Sequence, residues 1–131
     1  MRMHAWVLVL ALFCFAIPGF SKNQFRLNGE LVLEECGEAD IEYVFFNDSE
    51  REVEAFSLIF FVFDEEGNSI LKNHNYEVER IEERVAAKSY FYGSLPVTKL
   101  LSYLPEDSLE LEWFYVTAIK YADGEEIKVE F

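Results

Sequence analysis

The chain has 131 residues, with 11 Lys and Arg against 25 Asp and Glu, a formal net charge of −14. That length holds one domain, and so acidic a chain lacks the counter-charge that drives binding to nucleic acid or an anionic membrane surface. Thirteen phenylalanines, ten of them after residue 21, supply a core without help from cross-links, at roughly 1.5–3 kcal/mol for each large side chain fully buried.

Met1-Arg2-Met3-His4 is a short basic start, residues 5–17 are an unbroken apolar run, and Pro18-Gly19 breaks it before Gly19-Phe20-Ser21. This layout predicts a signal peptide over 1–21, cleaved near Ser21, which makes the protein exported: periplasmic, cell-surface or secreted. The run is shorter than the ~20 residues of a membrane span. Phe13 stands where a small residue would precede a lipid-modified Cys14. The remaining domain, 22–131, keeps one cysteine (Cys36), one histidine (His74) and one tryptophan (Trp113). A single cysteine forms no intrachain disulfide.

Residues 25–35 read as an opening edge strand, with Leu31 and Leu33 on one face. Residues 41–46 alternate, placing Ile41, Tyr43 and Phe45 one way and Val44 and Phe46 the other. Asn47-Asp48-Ser49 is a turn, because short polar side chains bond their own backbone there. A long strand over 53–63 follows, apolar on both faces, then a turn at Gly67 and a return through 69–72. Residues 75–81 read as a strand, though Val78, Ile81 and Val85 also fit a helical face. Residues 88–93 are a further strand. Over 96–104, Val97, Leu100, Leu101 and Leu104 recur at helical spacing between Pro96 and Pro105, which predicts a short helix on a crossover.

Residues 109–121 read as a second long strand, with Leu111, Trp113, Tyr115, Ile119 and Tyr121 on one face and Phe114, Val116 and Ala118 on the other. A three-residue loop Ala122-Asp123-Gly124, with Gly124 left-handed, would set Lys120 opposite Glu126 and Ile119 opposite Ile127. A two-residue loop would put Ile127 opposite Lys120 instead. The last strand is 126–131, with Ile127, Val129 and Phe131 inward. About seven strands and one short helix predict an all-β fold, an immunoglobulin-like Greek-key β-sandwich.

The turn Asn47-x-Ser49, the strand Phe56-x-Leu58 ending in Phe63-Asp64, and Gly67 together resemble the small exported bacterial modules called FxLYD domains. The closing Ile119-Lys120-Tyr121-Ala122-Asp123-Gly124 is similar to the final hairpin of related families. The resemblance implies an immunoglobulin-like sandwich in a secreted or surface protein and brings no catalytic residues with it. One departure is that Ala86-Ala87-Lys88-Ser89 stands where such domains usually carry Pro-Gly.

The candidate chemical sites each have a plainer account. Cys36 and His74 lack the motifs that accompany a cysteine nucleophile, and one histidine does not make a metal site. Asp64-Glu65-Glu66-Gly67-Asn68 departs from the calcium-loop spacing. It reads better as a hairpin turn whose acids, with Glu52 and Glu54, flank the uncharged window 57–63 and keep it from self-pairing. Asn47-Asp48-Ser49 is also a glycosylation sequon, and the acidic pairs Glu34/Glu35, Glu82/Glu83 and Glu125/Glu126 read as solvated faces. No catalytic residue, metal or cofactor is expected.

Two long strands apolar on both faces have a consequence. With strand 53–63 beside the penultimate and last strands, their second faces, holding Ile59, Phe61, Phe63, Phe114, Val116 and Ala118, form an apolar patch outside the core. The opposite parity would put Phe56, Leu58 and Phe60 there. Monomers rarely expose more than a few hundred Å² of such surface. The cover is either internal, from the 97–104 helix or residues 25–33, or another chain. The expected function is therefore a non-catalytic exported module that engages a protein partner or itself through Ile59, Phe61, Phe63, Phe114 and Val116. The alternatives are a lipid or sugar carrier binding between the sheets, and a hydrolase.

Overall fold

Eight strands are laid out in the computed structural model, which describes residues 24–129. They are β1 (Phe25–Leu33), β2 (Ala39–Asn47), β3 (Val53–Phe60), β4 (Glu77–Ile81), β5 (Ser89–Pro96), β6 (Leu109–Glu110), β7 (Phe114–Tyr121) and β8 (Glu126–Lys128). The predicted signal peptide, its cleavage near Ser21, and Phe131 lie outside the described residues. The strands form two four-stranded sheets, β5-β2-β1-β6 and β4-β3-β7-β8, with antiparallel pairing throughout.

Strict alternation builds the first sheet. Every odd residue of β2 is buried and every even one half-buried, the period of two that a strand with one covered face requires. The inner faces of the two sheets meet ring on ring. Phe45 of β2 stacks on Phe56 of β3, with centroids 4.0 Å apart and planes 6° from parallel. Phe25 lies beside Phe45 at 6.1 Å, and Tyr43 presents its edge to Phe114 at 6.1 Å. Each such pair adds about 0.5–1.5 kcal/mol to the area it buries.

Glycine makes room for one of these rings. Tyr43 is flanked in the sheet by Gly29 and Gly93. A Cβ on Gly93 would lie 2.5 Å from Tyr43 Cζ, and one on Gly29 would lie 2.6 Å from Phe114 Cε2. The two large rings occupy the space that side chains at these positions would fill.

The closing hairpin has the register read from its sequence. Ile119 faces Ile127 and Lys120 faces Glu126. The Gly124 amide donates to Tyr121 O at 2.9 Å, with Gly124 at φ +97. β4 likewise falls inside the expected 75–81, and β3 lies between β4 and β7 with β8 next in the same sheet.

Four expectations need correction. β1 is not an edge, because β6 pairs on its far side. Strand β3 ends at Phe60, with an isolated bridge from Phe63 to Ser69 beyond it. The helix over 96–104 is a single 3-10 turn, Thr98–Leu100. Its apolar spacing arises because Val97 and Leu101 are both buried while the backbone is tied at both ends: Val97 N–H donates to Ala39 O at 3.0 Å and Ser102 N–H to Ile70 O at 2.7 Å.

The last correction concerns 109–121, which is two strands in different sheets. Leu31 pairs with Leu109 in the first sheet, and Leu111 N–H still donates to Gly29 O at 3.1 Å. By Trp113 the chain has crossed, and its carbonyl accepts the Phe61 amide at 3.0 Å in the second sheet. The crossover leaves Trp113 at the mouth of the sandwich.

Candidate binding face

Two β-bulges decide which side chains face outward. Along the β3–β7 ladder Val53 pairs with Tyr121 but Ala55 with Lys120, and Ser57 pairs with Ala118 but Leu58 with Val116. Glu54 and Thr117 are the extra residues, and an extra residue in one strand reverses the alternation beyond it. Phe56, Leu58 and Phe60 point inward on β3, leaving Ser57 and Ile59 outward. On β7 Ile119 and Tyr121 point inward, and past Thr117 so do Phe114 and Val116.

The face expected from sequence is thus divided. Ile59, Phe61 and Phe63 lie on the outer side, half-buried or, for Phe63, exposed. Phe114 and Val116 do not: each is only 5% accessible and belongs to the core. Their outward places are taken by Trp113 and Tyr115. Neither internal cover that the sequence suggested lies over this side. β1 belongs to the opposite sheet, and Val97 and Leu101 are buried in the core.

The outward rings form one connected cluster. Phe61 touches Tyr76 at 5.7 Å, Phe63 at 6.2 Å and Trp113 at 6.4 Å between centroids, and Trp113 meets Tyr115 edge-on at 6.4 Å. Ile59, flanked by Val78 and Tyr115 in the sheet, extends the apolar surface. Trp113 is 49% accessible, Tyr76 48% and Val78 53%, so these side chains meet water rather than the core.

Beside the cluster, at the seam where the chain crosses between sheets, lies a groove of about 210 Å³. Phe61, Phe63, Leu109, Leu111 and Trp113 supply its apolar walls; Asp64, Glu65, Glu110 and Glu112 supply carboxylates, and among the described residues no Lys, Arg or His lines it. No family model, curated protein or solved structure matches the chain.

Ion pairs elsewhere engage all four described arginines. Arg51 bridges Asp123 and Glu125, and Arg84 bridges Glu52 and Glu54. Arg80 joins Glu82 to Glu126, and Arg26 pairs with Asp48. Hydrogen bonding to Arg26 holds the Asp48 carboxyl below the usual range. Among the described residues, no ion pair reaches Asp64, Glu65, Glu110 or Glu112.

A second cleft, about 280 Å³, adjoins the first and is lined by Asp64, Glu65, Glu66, Tyr103, Glu106 and Asp107 among others. Asp64 is the staple of its turn. One carboxylate oxygen accepts the amides of Glu66 and Asn68 at 2.9 Å each, and the other accepts the Tyr103 hydroxyl at 2.9 Å. The Asn68 amide first, and Tyr103 next, hold its pKa below the usual Asp value. Among the described residues no group of three or more His, Cys, Asp or Glu is placed to hold a metal ion. His74 is exposed in a loop, and Cys36 is exposed in the β1–β2 turn. The sequon residue Asn47 is wholly buried, with its side-chain amide engaged by the backbone.

Proposed function

We propose that the protein is a non-catalytic, exported binding module whose partner is another protein, docked on the outer aromatic face of the β4-β3-β7-β8 sheet. The observation that carries this reading is the exposed ring cluster around Phe61 and Trp113. Folded monomers seldom leave a contiguous apolar patch of this kind without a use for it. Tryptophan and tyrosine concentrate binding energy where two chains meet.

The fold fits this role as an immunoglobulin-like Greek key. With β1, β2 and β5 taken as strands A, B and E, and β4, β3, β7 and β8 as C′, C, F and G, the sheets run E-B-A, with the short β6 added beyond A, and C′-C-F-G. The resemblance to FxLYD modules gains support at Lys88. This residue has φ +58, the left-handed conformation that a glycine of the family's Pro-Gly turn would adopt. Export rests on the basic, apolar and small-residue order of residues 1–21.

A lipid or sugar carried between the sheets is less well supported. The Phe45–Phe56 stack at 4.0 Å occupies that space with the protein's own rings. A hydrolase would need a group poised to exchange protons, whereas Asp64, which lines both the groove and the adjoining cleft, has both carboxylate oxygens committed to its turn and to Tyr103.

The test is a photo-reactive phenylalanine analogue placed at position 63 in the exporting host, with one at Tyr90 on the opposite sheet as control. The expected result is one discrete adduct with a second protein at position 63, identified by its peptides, absent at position 90 and lost with Trp113→Ala. No adduct at position 63, or equal adducts at both positions, overturns the reading.

A further inference from the structure

We infer that the groove between residues 61–65 and 109–113 receives a cationic segment of that partner, with a Lys or Arg side chain laid across Trp113 beside an apolar residue. The inference rests on the docking reading and specifies the partner's chemistry. The first argument is the composition of the walls. Phe61, Phe63 and Trp113 offer aromatic surface, and Asp64, Glu65, Glu110 and Glu112 surround it with negative charge. Tryptophan is the best aromatic acceptor of a cation, and the attraction grows when the cation is partly desolvated, as it would be in a groove.

The second argument is how the chain distributes its own cations. Arg26, Arg51, Arg80 and Arg84 each sit in an ion pair away from the groove. Two of them also cover rings: Arg26 lies 4.2 Å from the Phe46 centroid and Arg51 lies 3.6 Å from that of Tyr121. The combination of ring and carboxylate that binds an internal arginine at Phe46 and Asp48, and again at Tyr121, Asp123 and Glu125, is thus repeated at Trp113 with no cation among the described residues to fill it. The protein carries the pattern three times, and occupies it twice.

The third argument excludes a second copy as the occupant. A self-paired groove would set Glu65, Glu110 and Glu112 against the same acids of its partner, on chains of net charge −14, and like charges brought together across an interface cost affinity. Size points the same way. At about 210 Å³, the groove is below the ~300–1,000 Å³ of a small-molecule site and suits one or two side chains.

The test uses the full chain, titrated by calorimetry with a peptide of alternating Lys and Leu and, in parallel, one of alternating Glu and Leu. Saturable binding of the Lys–Leu peptide is expected, weakening about tenfold as NaCl rises from about 50 to about 500 mM. Trp113→Ala should lower its affinity about tenfold. Glu65→Gln with Glu112→Gln, both on exposed side chains, should remove most of the salt dependence. The Glu–Leu peptide should not bind. Lys–Leu binding that Trp113→Ala leaves unchanged would be charge pairing at large and would overturn the inference. Equal binding of both peptides, lost in Trp113→Ala, would overturn the cationic assignment and leave the docking face standing. Light scattering that finds a dimer broken by Trp113→Ala would hand the groove to a second copy and overturn it too. If neither peptide binds, the inference fails, and the adduct at position 63 judges the docking reading separately.

Discussion

The side-chain oxygen of Asn47 accepts two hydrogen bonds from Ser49, from its amide at 3.1 Å and from its hydroxyl at 2.6 Å. The Asn47 amide nitrogen donates to the carbonyls of Arg51, Val85 and Ala86 at 2.8, 3.1 and 3.1 Å. One buried side chain thereby ties the end of β2, the entry to β3 and the approach to β5. Asn47→Ala would leave three carbonyls without this donor, at a cost of about 2–4 kcal/mol in urea unfolding. Asn47→Asp should cost a similar amount, since a carboxylate offers those carbonyls no proton. In a glycosylating host, intact-mass measurement should find Asn47 unmodified.

Much of this arrangement is legible in the sequence, and its failures share one cause. The strand 41–46 alternates without interruption, and the last hairpin is pinned by Gly124, so faces and register both follow from counting. Counting fails where the chain departs from a flat ladder. Carrying one parity from 109 to 121 assigns Phe114 and Val116 outward because nothing marks Thr117 as an extra residue. The one available signal is the pair Thr117-Ala118, small side chains that interrupt the large ones between Val116 and Ile119. The sheet switch at 111–113 is harder, because both segments carry the same alternation and differ only in the strand they pair with. Ile59, Phe61 and Phe63 share one side because the bulge on β3, at Glu54, comes before them, whereas counting alone leaves both parities of this strand open.

Lys88 holds a left-handed backbone that costs a side-chain-bearing residue roughly 1 kcal/mol. Its ammonium donates to Asp48 O at 2.8 Å and meets Glu50 at 3.1 Å, contacts at an exposed site that return little. Lys88→Gly should therefore raise stability by up to about 1 kcal/mol. Lys88→Val should lower it, since a β-branched residue fits that region worst. Thermal melts of the two variants in one buffer check the sign.

Burial pushes the Tyr43 phenol from 10.0 up to about 12, with the Glu83 carboxylate adding to the effect. The folded state keeps this proton through a range in which the unfolded chain loses it. The contribution to stability is whole below pH 10.0, falls as pH rises, and is gone near pH 12. Tyr43→Phe removes that part of the alkaline slope, on the order of 1–2 kcal/mol across the window. At stepped alkaline pH the urea midpoint of the wild-type protein should fall relative to that of Tyr43→Phe as pH rises through the window.

Trp113 and Phe114 are neighbours that point in opposite directions, one 49% and the other 5% accessible. Phe114 meets Tyr43 and Phe60 edge-on at 6.1 and 6.4 Å and fills the space over Gly29. Phe114→Ala should cost about 3–5 kcal/mol, the loss of its burial plus the cavity left behind. Trp113→Ala should cost less than about 1 kcal/mol, because what it gives up is contact with Phe61 and Tyr115 at the surface. The difference between the two urea midpoints separates a ring that holds the sandwich together from one that is free to meet a partner. A Trp113→Ala variant as unstable as Phe114→Ala would make the indole a structural cover, and the outer face would lose its central docking residue.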